Sequence, residues 1–307
     1  SGGTMSDNIA IRGYLASKKG GRIITSSFEH PAVMECFKSL ENFFDVVYLS
    51  PDSSGKITAD ILAEKLTSDT CFVSIMHINN ETGAINEIEK ISELLRRAGI
   101  VFHTDAVQSF LKTPFKYSKT DMASVSGHKT HGPKGVGFLY CRRGLYPDNF
   151  MDGGAQERGH RAGTENVAGI VGMAAALKEA CGSLDEKARH LSSLRDRVQE
   201  GLLRIPGSRL NGGDEHRLPG TVNVSFEKVD GESLLFQLDL MGIAASSGSA
   251  CASGSVDPSH VLLAIGVPYH MAHGSLRISL GRYNTAEEAD RIVEAVTDAV
   301  ALLRGER

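Results

Sequence analysis

The residues best suited to chemistry lie in one stretch, Met122–Tyr140, which reads MASVSGHKTHGPKGVGFLY. A short apolar run at Met122–Val125 predicts a strand, and Lys129 follows its end beside a serine and a histidine. A lysine in this position suits imine chemistry with an aldehyde. The amine must first lose its proton, and partial burial with cationic neighbours lowers its pKa. Taken alone, the stretch is also typical of a β-hairpin with a solvated lysine at its tip.

A second candidate is Cys251, which lies in the loop SSGSACASGS. The five cysteines are odd in number and lack CxxC spacing, which argues against a disulfide framework and a structural zinc site. A thiol on a loop of small residues, with nothing apolar to pack against, is a candidate nucleophile. A loop cysteine without any function explains the same pattern.

An alternation of apolar strands with helices must position these residues. The pattern predicts strands at Arg22–Ser26, Asp45–Leu49, Cys71–Ile78, Ile100–Thr104 and Met122–Val125. Helices are predicted between them, from Pro31 to about Phe44, at Asp60–Leu66 and at Ile88–Ala98. This order indicates an α/β domain with a mostly parallel sheet.

Polar residues follow the carboxyl ends of several predicted strands: His30, Asn80, Asp105, Gln108 and Ser126–Lys129. Open α/β sheets bind their ligands at that edge. Gly2, Gly3 and Thr4 precede a further helix, whose first N–H groups suit a phosphate. Several strand ends with polar residues predict one ligand site, although a Gly-Gly-Thr sequence is common.

The second half of the chain predicts a smaller unit. After the polar loop Glu157–Asn166 come helices at Val167–Cys181 and Leu184–Leu203, and a strand at Thr221–Phe226. Further elements are predicted after these: helices at Glu232–Asp239, Ser259–Ile265 and Ala286–Leu303, and a strand at Ser275–Ser279. We therefore expect a large domain at residues 1–183 and a small α+β domain at residues 184–307.

Composition excludes several classes of protein. Of 307 residues, 41% are hydrophobic and 23% charged, which is ordinary for a globular protein. The net charge of -4 gives no reason to expect nucleic acid or an anionic membrane as partner. No apolar run approaches the ~20 residues that span a bilayer. The first residues do not look like a signal or transit peptide, so a cytoplasmic protein is expected.

Eight segments together resemble one family, the cysteine desulfurases that supply sulfur for iron–sulfur cluster assembly and nitrogen fixation. In order they are SGGTMSDN, EHPAV, HINNETGAI, HTDAVQS, SGHKTHGPKGVG, ERGHRAGTEN, SSGSACASGS and SLRISLGRYN. The resemblance implies a pyridoxal 5'-phosphate (PLP) enzyme of the aspartate-aminotransferase fold, class V. The expected reaction turns L-cysteine into L-alanine and leaves a persulfide on Cys251.

The resemblance assigns roles around the PLP ring. Lys129 would bond to the PLP aldehyde and later move protons at the substrate Cα. Asp105 would pair with the pyridine nitrogen and Gln108 would donate a hydrogen bond to the phenolic oxygen. His30 would stack on the ring and help to move protons. From the residues alone, Asp105 also suits a helix cap, and His30 a surface position.

The same resemblance implies residues for phosphate, substrate and sulfur. The phosphate would be held by Gly3, Thr4, Ser126 and His128, with Thr164 reaching the site of the neighbouring subunit in a homodimer. Asn80 and Arg277 would bind the substrate carboxylate, and Arg282 is the nearby alternative to Arg277. Cys251 would pass its sulfur to an acceptor protein such as an iron–sulfur scaffold.

Two departures from the family pattern keep alternatives open. Family members have further N-terminal residues that line the substrate pocket, whereas this chain begins at the phosphate-binding segment. Met5 stands where the family carries glutamate. The alternatives are selenocysteine lyase or another class V PLP lyase, and a truncated homologue without catalytic activity.

Overall fold

The computed structural model describes residues 1–114, 116–149, 151–213, 216–248 and 257–306. Their contacts define two compact units. Unit 1 comprises Ser1–Ser50, Ile57–Ile78 and Asn86–Leu184, and unit 2 comprises Pro51–Lys56, Asn79–Ile85 and Asp185–Arg307. The domains expected from sequence, 1–183 and 184–307, differ from this division in the two short segments that unit 2 takes from the N-terminal half.

Hydrogen bonds explain why one of these short segments belongs to unit 2. The Asn223 side chain donates to the Glu81 carbonyl over 3.1 Å, and Arg217 Nη2 donates to the Thr82 carbonyl over 2.5 Å. All four residues are buried. Because buried carbonyl groups need donors, these bonds tie Asn79–Ile85 to the strand that contains Asn223.

Unit 1 contains a six-stranded sheet of order β2-β1-β3-β4-β5-β6. The strands are β1 (Arg22–Ser26), β2 (Asp45–Leu49), β3 (Thr70–Ser74), β4 (Val101–Asp105), β5 (Met122–Ser126) and β6 (Gly137–Cys141). All neighbours pair in parallel except β5 and β6, which are antiparallel. The predicted α/β class with a mostly parallel sheet is confirmed.

The described part of unit 1 contains five α-helices, and α4 illustrates how the sequence determines the buried face and the end of a helix. They are α1 (Gly3–Asn8, continuing as a π-helical turn at Ile9–Gly13), α2 (Pro31–Lys38), α3 (Ala59–Ala63), α4 (Ile88–Ala98) and α5 (Val167–Cys181). Helix α4 buries Ile88, Ile91 and Leu95 on one face. It ends at Gly99, whose φ of 70° is the left-handed conformation that glycine adopts without strain.

Unit 2 is the smaller α+β unit. It contains the antiparallel sheet β7-β8-β9 (Ser208–Leu210, Thr221–Phe226, Ser275–Ser279). Its helices are α6 (Leu184–Leu202, whose first residue belongs to unit 1), α7 (Gly231–Leu240), α8 (His260–Ala264), α9 (Tyr269–Ala272) and α10 (Ala286–Leu303). The core packs β8 and β9 against α6, α7 and α10 through residues such as Val198, Phe226 and Val296.

Three expectations about element bounds are wrong in detail. The helix from Pro31 ends at Lys38, and i→i+3 turns lead on to Phe44. The strand predicted at Cys71–Ile78 ends at Ser74, where its pairing with β1 ends. The Met76 N–H donates to the Glu29 carboxylate, whereas the N–H groups of Ile75 and His77 still donate to carbonyls of β4. Strand β7 and helix α9 are absent from the sequence-based set.

No single helix in the described part of the chain is both long and apolar enough to cross a membrane. Helices α5 and α6 pass a test of length and composition only when they are taken together.

Phe72 is expected to be a centre of stability in unit 1. Its fully buried ring stacks on Tyr14 and Phe37, at centroid distances of 5.4 and 6.3 Å. We expect Phe72→Ala to lower the free energy of unfolding by about 3 to 5 kcal/mol, because it removes buried area and leaves a cavity. Phe43 is 69% exposed, so Phe43→Ala serves as the control and should cost less than about 0.5 kcal/mol. Urea denaturation measures both, and equal effects would contradict the core assigned here.

Candidate active site

The parallel strands of unit 1 bring polar residues to one edge of the sheet. Asp105 ends β4, Ser126 ends β5, and His30 follows β1 as the N-cap of α2. Because β1, β3, β4 and β5 run in parallel, their carboxyl ends share this edge. Helix α1 begins there too, since a Cβ atom on Gly3 would lie 2.8 Å from Cγ2 of Val107 and 3.7 Å from Cβ of Ser126.

Asp105 is the buried acid of this edge, with 6% of its surface exposed. Its Oδ1 accepts a hydrogen bond of 2.8 Å from the Val107 N–H. Burial raises the pKa of Asp105 to about 6, although that N–H and the positive charge of Lys129 both act to lower it. Lys129 itself is exposed, on the 3₁₀ turn Gly127–Thr130 that follows β5. The amine and the carboxylate are therefore electrostatic neighbours.

A second acid, Asp7 of α1, is buried behind Asp105. Burial, and next the charge of Asp105, raise the pKa of Asp7 well above its ordinary value. Its Oδ1 lies 3.7 Å from Nε2 of His103 and has no hydrogen-bond partner among the described residues. Burial lowers the pKa of His103 to about 3, so this contact is not an ion pair. The raised pKa of Asp7 therefore favours its protonated form, whereas the positive charge of Lys129 favours the ionised form of Asp105.

Hydrogen bonds across three strands hold His103 in place. Its Nδ1 lies 2.8 Å from Oγ of Ser74 on β3, and its Nε2 lies 2.9 Å from Oγ of Ser124 on β5. The Ser124 side chain also hydrogen-bonds Asp7. A fully buried neutral imidazole that is bonded at both nitrogens is rigid. His103 is thus a rigid, neutral polar group on the same strand as Asp105.

His30 is fixed by its own helix. Its Nδ1 accepts a hydrogen bond of 3.1 Å from the Ala32 N–H, so the neutral ring carries its proton on Nε2. The preceding Glu29 is fully buried and accepts bonds from Oγ of Ser26 and the N–H of Met76. Burial raises the pKa of Glu29 to about 8. The segment is thus anchored on both sides of the imidazole.

Cationic groups lie around His128, whose partner Ser126 packs against the start of α1. Oγ of Ser126 lies 2.9 Å from Nδ1 of His128. Burial lowers the pKa of His128, and the positive charges of Lys129, Lys134 and Lys112 lower it further. Hydroxyl and imidazole groups among three lysines form a site for an anion with more than one negative charge. Thr4 is exposed on the first turn of α1, with Gly3 half-buried next to it.

Gln108 has a partner that sequence reasoning did not anticipate. Nζ of Lys112 donates a hydrogen bond of 2.8 Å to Oε1 of Gln108. Burial, with the charge of Lys129, lowers the pKa of Lys112 to about 8. In the sequence the lysine has no distinguishing context, since it stands in an ordinary turn after Leu111.

In unit 2, Arg277 and Asn80 lie together. Nη1 of Arg277 donates to the Asn80 carbonyl over 2.9 Å, and its Nη2 reaches Oγ of Ser246 at 3.3 Å. Oδ1 of Asn80 is buried without a hydrogen-bond partner among the described residues, which marks a position for a ligand. Arg282, the alternative, stacks on the ring of Tyr283 at 4.6 Å. The bond to Asn80 favours Arg277 as the residue that acts together with it.

Cys251 lies outside the described residues, between Gly248 and Asp257. Both flanks of that stretch meet Glu81, which is 1% exposed. Oγ of Ser259 donates to Oε2 of Glu81 over 2.5 Å, and a Cβ atom on Gly248 would lie 2.7 Å from the same oxygen. Sequence reasoning missed Glu81, although it stands within the HINNETGAI segment beside Asn80.

Thr164 is exposed in unit 1 and follows a loop with unusual backbone. Glu157 and Arg158 both have positive φ, of 49° and 58°, which is disfavoured for residues with a side chain. The Gly163 N–H donates to Oε1 of Gln156 over 3.0 Å and closes the loop. Consecutive disfavoured residues of this kind cluster at functional segments.

Comparison with known proteins identifies the family of the chain. The family described as aminotransferase class-V matches residues 1–292. A cysteine desulfurase IscS of Methanosarcina thermophila is 50% identical over 309 residues, covering 99% of this chain and 76% of the relative. The chain belongs to the cysteine desulfurases.

Solved structures of family members are similar to this desulfurase throughout. A NifS-like protein superposes with a TM-score of 0.90 at 38% identity, covering 98% of this chain and 81% of that one. The structure described as SspA in complex with cysteine gives 0.78 at 36% identity, covering 92% and 81%. The predicted PLP-dependent transferase fold and the family resemblance are confirmed.

The family is PLP-dependent, and the residues of unit 1 fit that cofactor. The amine of Lys129 suits its aldehyde, the buried carboxylate of Asp105 suits its pyridinium nitrogen, and the cationic group around Ser126 and His128 suits its phosphate. The close packing of Gly3 against Val107 leaves no room for a side chain, so backbone N–H groups line the start of α1.

The protonated state of Asp7 in this desulfurase predicts a pH-dependent effect of substitution. The folded protein holds the proton above pH 4, whereas the unfolded chain releases it, so stability falls as pH rises. Asp7→Asn removes this loss. We expect the unfolding free energy of the variant to rise relative to that of the parent as pH increases from about 4 upward, by at most about 1.4 kcal/mol per pH unit.

Urea denaturation across this pH range measures the difference. Asp60→Asn is the matched control, because Asp60 is exposed in unit 1, and its difference should stay constant with pH. A constant difference for Asp7→Asn as well would show that Asp7 is ionised in the folded state.

Proposed function

We propose that this chain is a PLP-dependent enzyme that converts L-cysteine to L-alanine and leaves the sulfur on Cys251 as a persulfide. The observation that carries the proposal is that Lys129 lies close enough to the buried Asp105 to lower its pKa, at the sheet edge of a cysteine desulfurase. An exposed amine is available to an aldehyde, while a buried carboxylate keeps a heteroaromatic nitrogen protonated.

The proposed reaction balances without an external oxidant or reductant. The Cys251 thiolate attacks the sulfur of substrate cysteine and forms an S–S bond while the C–S bond breaks. The electron pair of the broken bond stays with the three-carbon fragment, which takes up a proton and leaves as alanine. The persulfide retains the sulfur, which a later thiol acceptor removes.

Each residue has a defined task. When bound, PLP supplies an electron sink for the charge that develops at the substrate Cα. Nζ of Lys129 holds the cofactor and moves the Cα proton, and the Asp105 carboxylate holds a proton at the pyridine nitrogen. Nε2 of His30 carries the proton of the neutral ring and is the second group able to give one. Gly3, Thr4, Ser126 and His128 hold the phosphate, and Gln108 the phenolic oxygen.

L-Cysteine as substrate is supported by the unit 2 residues. The guanidinium of Arg277 donates to the Asn80 carbonyl, and a guanidinium is the group that pairs with a carboxylate through two parallel hydrogen bonds. Asn80 lies next to it, and only the NH₂ group of its side-chain amide can donate to a carboxylate. The similar SspA structure is described as a complex with cysteine. We assign the substrate carboxylate to Asn80 and Arg277, with Arg282 as the alternative.

Two substitutions separate cofactor chemistry from sulfur transfer. We expect Lys129→Ala to prevent borohydride from fixing PLP to the protein, as read by intact mass, because no amine remains for it. We expect Cys251→Ala to retain that fixation and the visible absorption band, yet to lose alanine production from cysteine by at least about 100-fold.

The control is Cys181→Ala, because Cys181 is an exposed cysteine outside the site. A parent protein that stays colourless with added PLP would refute the proposal. Undiminished turnover of selenocysteine by Cys251→Ser would instead favour a selenocysteine lyase or another class V lyase.

We further propose a homodimer in which Thr164 completes the phosphate site of the neighbouring subunit. Helix α5 is rich in Val, Ile, Met and Ala, yet it buries only Gly169 and Met173 within its own unit. Val167 and Val171 are 66% and 63% exposed. A contiguous exposed apolar helix face is typical of a subunit interface.

Mixed dimers test the sharing of sites. Thr164→Val should bind PLP about 10-fold more weakly, because one hydrogen-bonding group on the phosphate is lost. When it is co-expressed with Lys129→Ala, the mixed dimer regains one intact site, with tight PLP binding and cysteine turnover. Co-expression of Lys129→Ala with Asp105→Asn is the control, because both residues belong to one subunit's site, so each site of the mixed dimer lacks one of them and no intact site forms. No gain over Thr164→Val alone would place Thr164 in its own subunit's site.

We propose that the persulfide of Cys251 passes to an acceptor protein such as an iron–sulfur scaffold. The similar relative is named IscS, and the small residues around Cys251 suit a thiol that must reach two partners. A cytoplasmic location agrees with five cysteines that form no recognisable disulfide pattern.

A further inference from the structure

Lys112 contacts Gln108, one of the residues assigned to PLP, although neither its sequence context nor its place in the chain distinguishes it. It is half-buried and donates a hydrogen bond of 2.8 Å from Nζ to Oε1 of Gln108. Burial and the charge of Lys129 lower its pKa to about 8. Desolvating a lysine beside a second ammonium costs free energy, which a hydrogen bond offsets. The side-chain carbonyl of Gln108 accepts that hydrogen bond.

The chemistry of the two groups fixes the orientation of the amide. An ammonium has three donors and no acceptor, so it pairs only with the oxygen of a glutamine side chain. Oε1 of Gln108 must therefore face Lys112, and the NH₂ group must face another way. Without Lys112, the amide is free to rotate and present either its oxygen or its nitrogen to a ligand.

The backbone between the two residues supports a functional arrangement. Residues 106–113 form successive turns, in which the N–H groups of Phe110 and Thr113 donate to the carbonyls of Ala106 and Ser109. Leu111, directly before Lys112, has a φ of 55°. This left-handed conformation is disfavoured for a residue with a side chain, and such residues are concentrated at functional sites.

We propose that Lys112 is a positioning residue, which turns the NH₂ group of Gln108 toward the phenolic oxygen of PLP. The inference rests on the proposed function, because it needs bound PLP. Lys112 also contributes positive charge to the site, because it lowers the pKa of His128 together with Lys129 and Lys134. The proposal concerns the geometry of an existing hydrogen-bond donor and requires no contact between Lys112 and PLP.

A double-mutant cycle tests the proposal through the absorbance of bound PLP. A donor on the phenolic oxygen stabilises its anion, so losing an oriented donor raises the pH midpoint of the absorbance change. We expect Lys112→Met to raise that midpoint by about 0.5 to 1, and to weaken PLP binding by about 3- to 10-fold, which is the worth of one hydrogen bond. Gln108→Leu should raise it by a similar amount, and the double variant should exceed Gln108→Leu by no more than the effect of losing one lysine charge.

Two controls separate positioning from charge and from folding. Lys134→Met removes a lysine that also lowers the pKa of His128 but makes no hydrogen bond to Gln108, so it reports the effect of charge alone. Its effect should be smaller and additive with Gln108→Leu. Lys112→Arg keeps donors and charge and should restore most of the parent midpoint, while thermal unfolding of every variant checks the fold.

The outcomes are distinct. Non-additive shifts for Lys112→Met with Gln108→Leu support the proposal, and additive shifts overturn it, as does a midpoint for Lys112→Met equal to that of Lys134→Met. If the parent binds PLP and its absorbance titrates normally, an additive cycle contradicts only the role of Lys112. A parent that binds no PLP contradicts the proposed function itself.

Discussion

Two carboxyl groups, Asp7 and Asp105, lie buried near each other, and the interior around them does not accommodate two negative charges. Because isolated buried charges are costly, one acid keeps its proton. The exposed Lys129 is close enough to lower the pKa of Asp105, so Asp105 is the acid that ionises. The group of Ser74, His103 and Ser124 is neutral and fully bonded, and therefore adds no competing charge. A single negative charge at a fixed place is what a protonated pyridine nitrogen requires.

The topology of unit 1 supplies that place. Parallel strands end at one edge, so Asp105 and Ser126 meet there although they are 21 positions apart in the chain. The antiparallel β6 returns the chain alongside β5 and leaves Lys129 on the turn between them. Helix α1 presents its first N–H groups at the same edge. The cofactor site thus depends on strand direction first and on individual side chains second.

Much of this was predictable from the sequence, for physical reasons. Strands such as Arg22–Ser26 and Thr221–Phe226 have the predicted bounds, because their buried apolar patterns are clear and turn residues flank them. Strand β7 is three residues long and half-buried, so it carries no readable pattern. The motif resemblance predicted a PLP enzyme with Lys129 and Asp105 at its cofactor, and the family of the chain is PLP-dependent. The individual roles, and the Cys251 stretch outside the described residues, stay predictions.

The groups that sequence reasoning missed share one property, which is that their importance arises from three-dimensional neighbours. Asp7 resembles any acid in the first turns of a helix, and only burial against Asp105 reveals its charge state. Lys112 resembles a surface lysine until its bond to Gln108 is seen. Glu81 meets Ser259, which lies 178 residues further along the chain. The pattern of residue types along the chain does not indicate which side chains make such contacts in the folded protein.

The chain passes between the two units at 50/51, 56/57, 78/79, 85/86 and 184/185. A gene fragment that begins at Asp185 would therefore omit Asn79–Ile85, and with it the partners that satisfy Asn223, Arg217 and Arg277. Unit 2 therefore cannot be produced as one continuous segment of the chain. A gene that encodes all of unit 2 also encodes the strands of unit 1 that lie between its segments in the sequence.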